Sequence, residues 1–325
     1  MKSPSRFTTI VLLAVSILST GAVIAQSYPN KPIRIVVPFA AGGAMDILAR
    51  LIGPKMTDSL KQPIIVENRV GAGGHIAQAV VAKAPPDGYM TLLDTPNLAI
   101  GPALYRKLPF DAAKDFLPVT MLVRSPLILM AGPKSSVTSV GELIALAKSK
   151  PGGLNYGHNG VGSTLHLIME LIKLSTSTDM LGIPYKGVAP LSNALMTGEV
   201  DVGLLSIPTA LQGIKMGRMR ALSVVGDQRV SALPDVPTLA EAGVTANHPV
   251  IWYGLFVPAN TPRDIVKLIY REAAKALHET DIRERIIAMG QEPVGSTPEE
   301  FDAKYKENLA QFAKIVKDAR IPLQD

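Results

Sequence analysis

The chain has 325 residues, of which 47% are apolar, 18% charged and 5% aromatic, with a formal net charge of +6 and no cysteine. That length and apolar share predict one large or two ordinary folded domains and exclude a disordered chain. The missing cysteines exclude disulfides, thiolate metal sites, a cysteine nucleophile and a cysteine-linked lipid anchor, and lysines and arginines spread along the chain argue against a nucleic-acid surface.

At the N-terminus, Lys2 and Arg6 precede the apolar run from Ile10 to Leu18, and small residues end in Val23-Ile24-Ala25 before Gln26. A positive start, a short apolar core and small residues before a cut predict a secretory signal peptide over residues 1–25. The run is short for a spanning helix, so the mature chain is expected to be exported and not embedded in the membrane.

Beyond residue 27, short apolar runs alternate with helical spacing. Strands are predicted at 33–37, 64–67, 91–94 and 119–123, with helices at 46–60 and 74–84. A second series has strands at 127–131, 154–156, 200–205 and 221–225, with helices at 140–150 and 165–174. A strand at 251–257 leads to helix-entry chemistry, with Thr261 as cap, Pro262 first and Asp264 in the first turn. Helices follow at 265–277, 281–289 and 298–319. The repeated switch between periods of about 2 and about 3.6 predicts α/β folding with parallel sheets. Two such series suit two doubly wound lobes with a hinge and a cleft between them. The first lobe is placed at 26–124 plus 247–325 and the second at 125–246.

Three glycine-rich turns follow strands and open helices: Gly42-Gly43, Gly71-Ala72-Gly73-Gly74, and Gly157 to Gly162 with Ser163-Thr164. Glycine lets a ligand approach main-chain N–H groups, and the helix start adds free donors and a positive dipole end. The pattern predicts an anion site. A nucleotide is disfavoured, because Gly71-Ala72-Gly73-Gly74 lacks the dinucleotide spacing and no Gly-Lys-Ser/Thr follows any turn. Gly160-Val161-Gly162-Ser163-Thr164 lacks the nucleophile-elbow spacing. The histidines at 75, 158, 166, 248 and 278 show no metal-binding spacing. No enzyme, metal or cofactor is expected. Asp46 reads as a helix-start carboxylate and Arg69 as one half of a structural ion pair.

The chain from Tyr28 onward resembles the solute-binding proteins of tripartite tricarboxylate transporters, the Bug-type receptors. The resemblance rests on Tyr28-Pro29-x-Lys31-Pro32-Ile33-Arg34, Pro38-Phe39-x-x-Gly42-Gly43-x-x-Asp46 and Glu67-Asn68-Arg69-x-Gly71-Ala72-Gly73-Gly74. Further on it includes Gly160-Val161-Gly162-Ser163-Thr164-x-His166, Pro184-Tyr185-Lys186-Gly187 and Trp252-Tyr253-Gly254-Leu255. It implies a two-lobed periplasmic binding protein, a monomer, that closes on a small carboxylate and presents it to membrane permease subunits. The first-lobe positions it implies for the ligand are Phe39, Ala41, Gly42, Gly43 and Asp46, with Gly73, Gly74 and His75. In the second lobe they are His158, Asn159, Ser163, Thr164 and Lys186. Against the family pattern, Leu205 stands where an acidic residue is common, which argues against an amino-acid solute. His75 and His158 replace smaller polar residues and could meet a second carboxylate or a ring. With Phe39 and Leu205 nearby, an aromatic or medium-chain carboxylate, or a dicarboxylate, is expected. The readings left open beside transport are a sensing module for a signalling partner and an exported hydrolase.

Overall fold

A computed structural model describes residues 28–246 and 248–325. The predicted signal peptide and Asn247 lie outside the described residues. The chain divides into a short unit ending at Asn30 and a main unit, Lys31–Asp325, and the main unit is the subject from here.

The first sheet begins with three parallel strands, β1 (Ile33–Val37), β2 (Ile64–Asn68) and β3 (Met90–Asp94). Strand β1 carries Ile33, Ile35, Val36 and Val37 fully buried, the near-continuous apolar run of a sheet covered on both faces. Helices α1 (Ala44–Leu60), α2 (His75–Ala82) and α3 (Asn97–Leu104) follow these strands in turn. Strand β4 (Phe116–Ser125) then runs out of this sheet, and after Pro126 the chain enters β5 (Leu127–Ala131) of the second.

The second sheet is made of β5, β6 (Asn155–His158), β7 (Leu181–Pro184), β8 (Val202–Ser206) and β9 (Arg220–Val225), in the order β7-β6-β8-β5-β9. Its helices are α4 (Val140–Ser149), α5 (Thr164–Thr176), α6 (Val188–Thr197) and α7 (Ile207–Lys215). The chain returns through β10 (Ile251–Pro258) and finishes with α8 (Arg263–His278), α9 (Thr280–Ala288), the short β11 (Glu292–Pro293) and α10 (Pro298–Asp318). The first sheet thereby reads β11-β4-β10-β3-β1-β2.

The sheets, expected to be parallel, are mixed. Strand β10 is antiparallel to both β3 and β4, and β5 is antiparallel to both β8 and β9. The reason is the route of the chain: each of these strands arrives from the other lobe and slots between two strands running the opposite way. Spacing alone also left α3, α6, α7 and β7 unassigned, because Asn97–Leu104 is almost uniformly apolar and Leu181–Pro184 is only four residues long. The proposed Thr261 cap is corrected. Pro262 occupies the N-cap position, and the Thr261 hydroxyl donates to the Pro258 carbonyl at 2.7 Å.

Each lobe has its own core. Val36, Leu92, Trp252, Phe256, Phe301 and Phe312 anchor the first, while Ile128, Leu129, Tyr156, Leu195 and Leu204 anchor the second. Leu167 of α5 joins the first cluster, so that helix packs across the divide. Trp252 on β10 is fully buried, stacks edge-on against Phe301 at 5.0 Å and donates its Nε1–H to Asn308 Oδ1 at 2.7 Å. Replacing Asn308 by Ala strands that donor in the core, which costs about 1–3 kcal/mol. The expected outcome is a melting temperature lower by several degrees, measured by calorimetry, with the far-ultraviolet spectrum unchanged.

Candidate ligand cleft

Strands β1, β2 and β3 of the first sheet run parallel, as do β6, β7 and β8 of the second, so each set points its carboxyl ends to one side and gathers the starts of the helices that follow there. A cavity of about 770 Å³ lies in this region and is lined from both lobes. Ser125, Leu127, Ile251 and Tyr253, all on strands next to the two crossings, form part of its wall. The starts of α1 and α5 line it through Gly43, Ala44 and Met45 on one side and Ser163, Thr164 and Leu165 on the other. The lining includes no lysine, arginine or histidine, and its one carboxylate is Asp46.

Asp46 is 3% exposed and is already paired. Arg50, one turn on, donates its Nε–H to both Asp46 oxygens at 3.0 Å, and the Gly42 N–H donates to Oδ2 at 2.9 Å. Arg50 also donates to Asn68 Oδ1 at 3.2 Å, and Asn68 Nδ2 donates to the Phe39 carbonyl at 3.0 Å. These bonds close a ring that fixes the turn before α1. The Arg50 guanidinium holds the Asp46 carboxyl below its usual range, helped by the Gly42 N–H and opposed by burial.

The two glycines therefore act differently from the expectation that they free their own donors. Gly42 adopts φ +83°, its N–H is taken by Asp46, and the Gly43 N–H is directed at the Ala40 carbonyl at 3.3 Å. They shape the turn, and the first-turn N–H groups of α1, where Ala44 and Met45 line the cavity, have no acceptor within the helix. Phe39, Gly43 and Asp46 line the cavity, whereas Ala41 and Gly42 are exposed outside its lining.

In the second turn of the first lobe, Gly73 reaches the cavity and Gly74 is buried behind it. Asn97 donates to the Gly73 carbonyl, which ties this turn to α3. His75 does not line the cavity. It sits 7% exposed beneath the wall, with its ring edge-on to Tyr105 at 4.5 Å. Arg69 pairs with Glu67 at 2.6 Å, as its structural reading required.

In the second lobe, Asn159, Ser163 and Thr164 line the cavity. His158 is 2% exposed and turned under the loop, where Nδ1 lies 2.8 Å from the Gly160 carbonyl. The Gly162 N–H donates to His166 Nδ1 at 3.0 Å, and the two imidazoles stack at 4.3 Å. Burial, with His158 beside it, pushes His166 down to about 4, so it is neutral near pH 7 and free to accept that bond. Two histidines thus support the loop from below. Gly162 itself, at φ +75°, leaves room for Leu104 of the first lobe: a Cβ there would stand 2.1 Å from Leu104 Cδ2.

Lys186 is exposed outside the lining, and Val188 takes the place near it. Leu205 is fully buried in the second core. Because side chains alternate along β8, Leu204 and Ser206 face the cavity instead. The argument from Leu205 against an amino-acid solute therefore lacks a structural basis. Residues that spacing did not find include Tyr105, Tyr253, Ser125 and Ser206. The first two are aromatic residues at the end of an unassigned helix and on a crossing strand, where only the folded topology brings them in.

Residues 48–321 match the model of the tripartite tricarboxylate transporter family receptor. The chain belongs to this family. It is a solute-binding receptor, not an enzyme, and its architecture is that of periplasmic binding proteins. It is 34% identical to protein BugT of Bordetella pertussis over 320 residues, covering 97% of this chain and 98% of that one. The solved structure of R. palustris Rpa4515 with adipate is 34% identical, with a TM-score of 0.77 over 91% of this chain and all of that one. MatC from Rhodopseudomonas palustris with bound malate is 32% identical, with a TM-score of 0.74 over 89% of this chain and all of that one. Among the described residues no helix is long and apolar enough to cross a membrane.

The Asp46 ring has a pH signature. A carboxyl held low in the folded state stabilises above its unfolded value near ~4, and that stability is lost as pH falls through the folded value. Asp46→Asn should therefore melt below the wild type at pH 7, and the gap should close progressively below about pH 4. Parallel thermal melts across that range measure it.

Proposed function

We propose that this receptor works in the periplasm, after removal of a signal peptide over residues 1–25, and closes two lobes on a small carboxylate for delivery to membrane permease subunits. The lobes are 26–124 with 247–325, and 125–246. One observation carries the reading. A cavity lined from both lobes has two helix starts and no cationic side chain among its lining residues. Such a site suits an anion held by pre-placed main-chain donors and dipole ends.

The ligand contacts assigned are Phe39, Gly43, Asp46 and Gly73 from the first lobe and Asn159, Ser163 and Thr164 from the second, joined by Tyr105 and Tyr253. Ala41, Gly42, Gly74, His75, His158 and Lys186 act one step back, as turn formers and supports. Asn159 adds a specific argument: its Oδ1 is buried without a partner among the described residues, and the amide can turn its other end toward an acceptor. The adipate and malate bound by the related proteins are carboxylates of a size that a cavity of about 770 Å³ accommodates. Apolar lining from Phe39, Leu104, Leu127, Leu165 and Leu204 favours a ligand with a hydrocarbon or aromatic body.

Closure needs a ligand that binds the closed arrangement better than the open one, and contacts from both lobes supply that difference. The test is a thermal-shift panel of benzoate, adipate, malate and neutral amino acids, combined with small-angle scattering. At about 100 times its dissociation constant a bound carboxylate adds about 2.7 kcal/mol, a rise in melting temperature of several degrees, and the radius of gyration should fall. Stabilisation by amino acids alone, or by no carboxylate in the panel, would overturn the reading.

A further inference from the structure

Beneath the first-lobe wall of the cavity runs a buried line of polar groups that the carboxylate reading leaves unused. Asp94, at the end of β3, is fully buried, as is Gln78 of α2. The two Asp94 oxygens accept from the Thr95 N–H at 2.7 Å and from Gln78 Nε2 at 2.7 Å. Gln78 Oε1 lies 2.6 Å from His75 Nδ1.

The polarity of this line is set from its buried end. An ionised carboxylate only accepts, so Gln78 must turn its NH₂ to Asp94 and its oxygen to His75. An amide oxygen also only accepts, so His75 Nδ1 must carry the hydrogen and Nε2 is left with a lone pair. That Nε2 is buried and has no partner among the described residues. It lies 4.0 Å from where a Cβ on Gly73 would stand, and the His75 ring meets Tyr105 edge-on. Gly73 and Tyr105 both line the cavity.

We propose that Gln78 and Asp94 are positioning residues that select which ring nitrogen of His75 carries its hydrogen, and so whether the wall behind Gly73 and Tyr105 presents a lone pair or an N–H. This rests on reading the cavity as a carboxylate site. When Asp94 takes up a proton on Oδ2, its hydroxyl donates to Gln78 Oε1, the amide turns over, its NH₂ donates to His75 Nδ1, and the ring hydrogen moves to Nε2. No group is oxidised or reduced, and one proton enters at Asp94. An anion in the cavity favours the N–H form, so carboxylate binding draws that proton in.

The surroundings allow such a change near neutrality. Burial raises Asp94 to about 7, against the opposing bonds from Gln78 and Thr95. The titratable groups around it are His75 across Gln78, Tyr305 of α10 and, beyond Tyr305, Asp111. Burial, with Asp94 and Asp111 adding to it, holds the Tyr305 phenol well above its ordinary value, so it stays neutral.

The test needs no ligand: long-range nitrogen–proton correlation spectra of the histidine rings in the full-length ¹⁵N-labelled protein, with His75 assigned by His75→Gln. At about pH 9, some two units above the Asp94 value, roughly 99% of Asp94 is ionised, and the wild type should show hydrogen on Nδ1. Asp94→Asn places an NH₂ where the protonated oxygen would be, so at the same pH the signal should move to hydrogen on Nε2. Gln78→Met removes the bridge and should abolish the Nδ1–H preference even if Asp94→Asn fails to fold. A wild-type ring with hydrogen on Nε2, or a ring unchanged in a folded Asp94→Asn or in Gln78→Met, would overturn the proposal. Failure of the carboxylate reading would appear only in the thermal-shift panel, so the two failures are separable.

Discussion

Everything in the molecule depends on an exchange of strands. The chain leaves the first sheet by β4, and β5 then runs between β8 and β9 of the second. It comes back as β10, which runs between β3 and β4 of the first. Each lobe is thereby completed by a strand that belongs, in chain order, to the crossing. The two crossings are bonded side by side, Ile251 opposite Ser125 and Trp252 opposite Arg124, and Arg124 reaches Asp227 and Glu292 at 3.4 and 3.3 Å. The part of the cavity wall that lies at the crossings is thus built from paired strands that belong to both sheets.

The electrostatics of the cleft follow from the same geometry. A site with no lining cation must attract an anion through fields that the backbone creates, and helix starts at strand ends create them wherever the sheet order places them. Arg50 is present but committed to Asp46, and the pair spends its charge on the turn. What remains toward the cavity is a set of N–H groups whose directions are settled before any ligand arrives, so little ordering entropy is lost on binding.

Much of this was legible in the sequence, and the limits have physical causes. Strands such as Ile33–Val37 and Leu127–Ala131 stood out because apolar runs between turn residues have few other uses. The glycine turns were visible too, because positive φ angles call for glycine at positions such as Gly42 and Gly162. The direction of β5 and β10 was not visible, since a strand reads the same when it enters a sheet from either end. Nor could spacing show that Leu204 reaches the cavity while Leu205 does not, both being buried in the second core: a shift of one residue along a strand changes the face presented. His75 and His158 were found as residues near the site, but their facing inward was decided by partners, the Gln78 side chain and the Gly160 carbonyl, that lie on no common sequence period.

The chain has a single tryptophan, and it sits on β10 between two residues that line the cavity, Ile251 and Tyr253. Its indole is sealed from water and bonded to Asn308. The fluorescence of the protein excited at the red edge of its absorption therefore comes from one site on the strand that joins the lobes. That emission reports the packing of the first-lobe core directly beneath the cleft wall, with no label attached and no residue of the cleft altered.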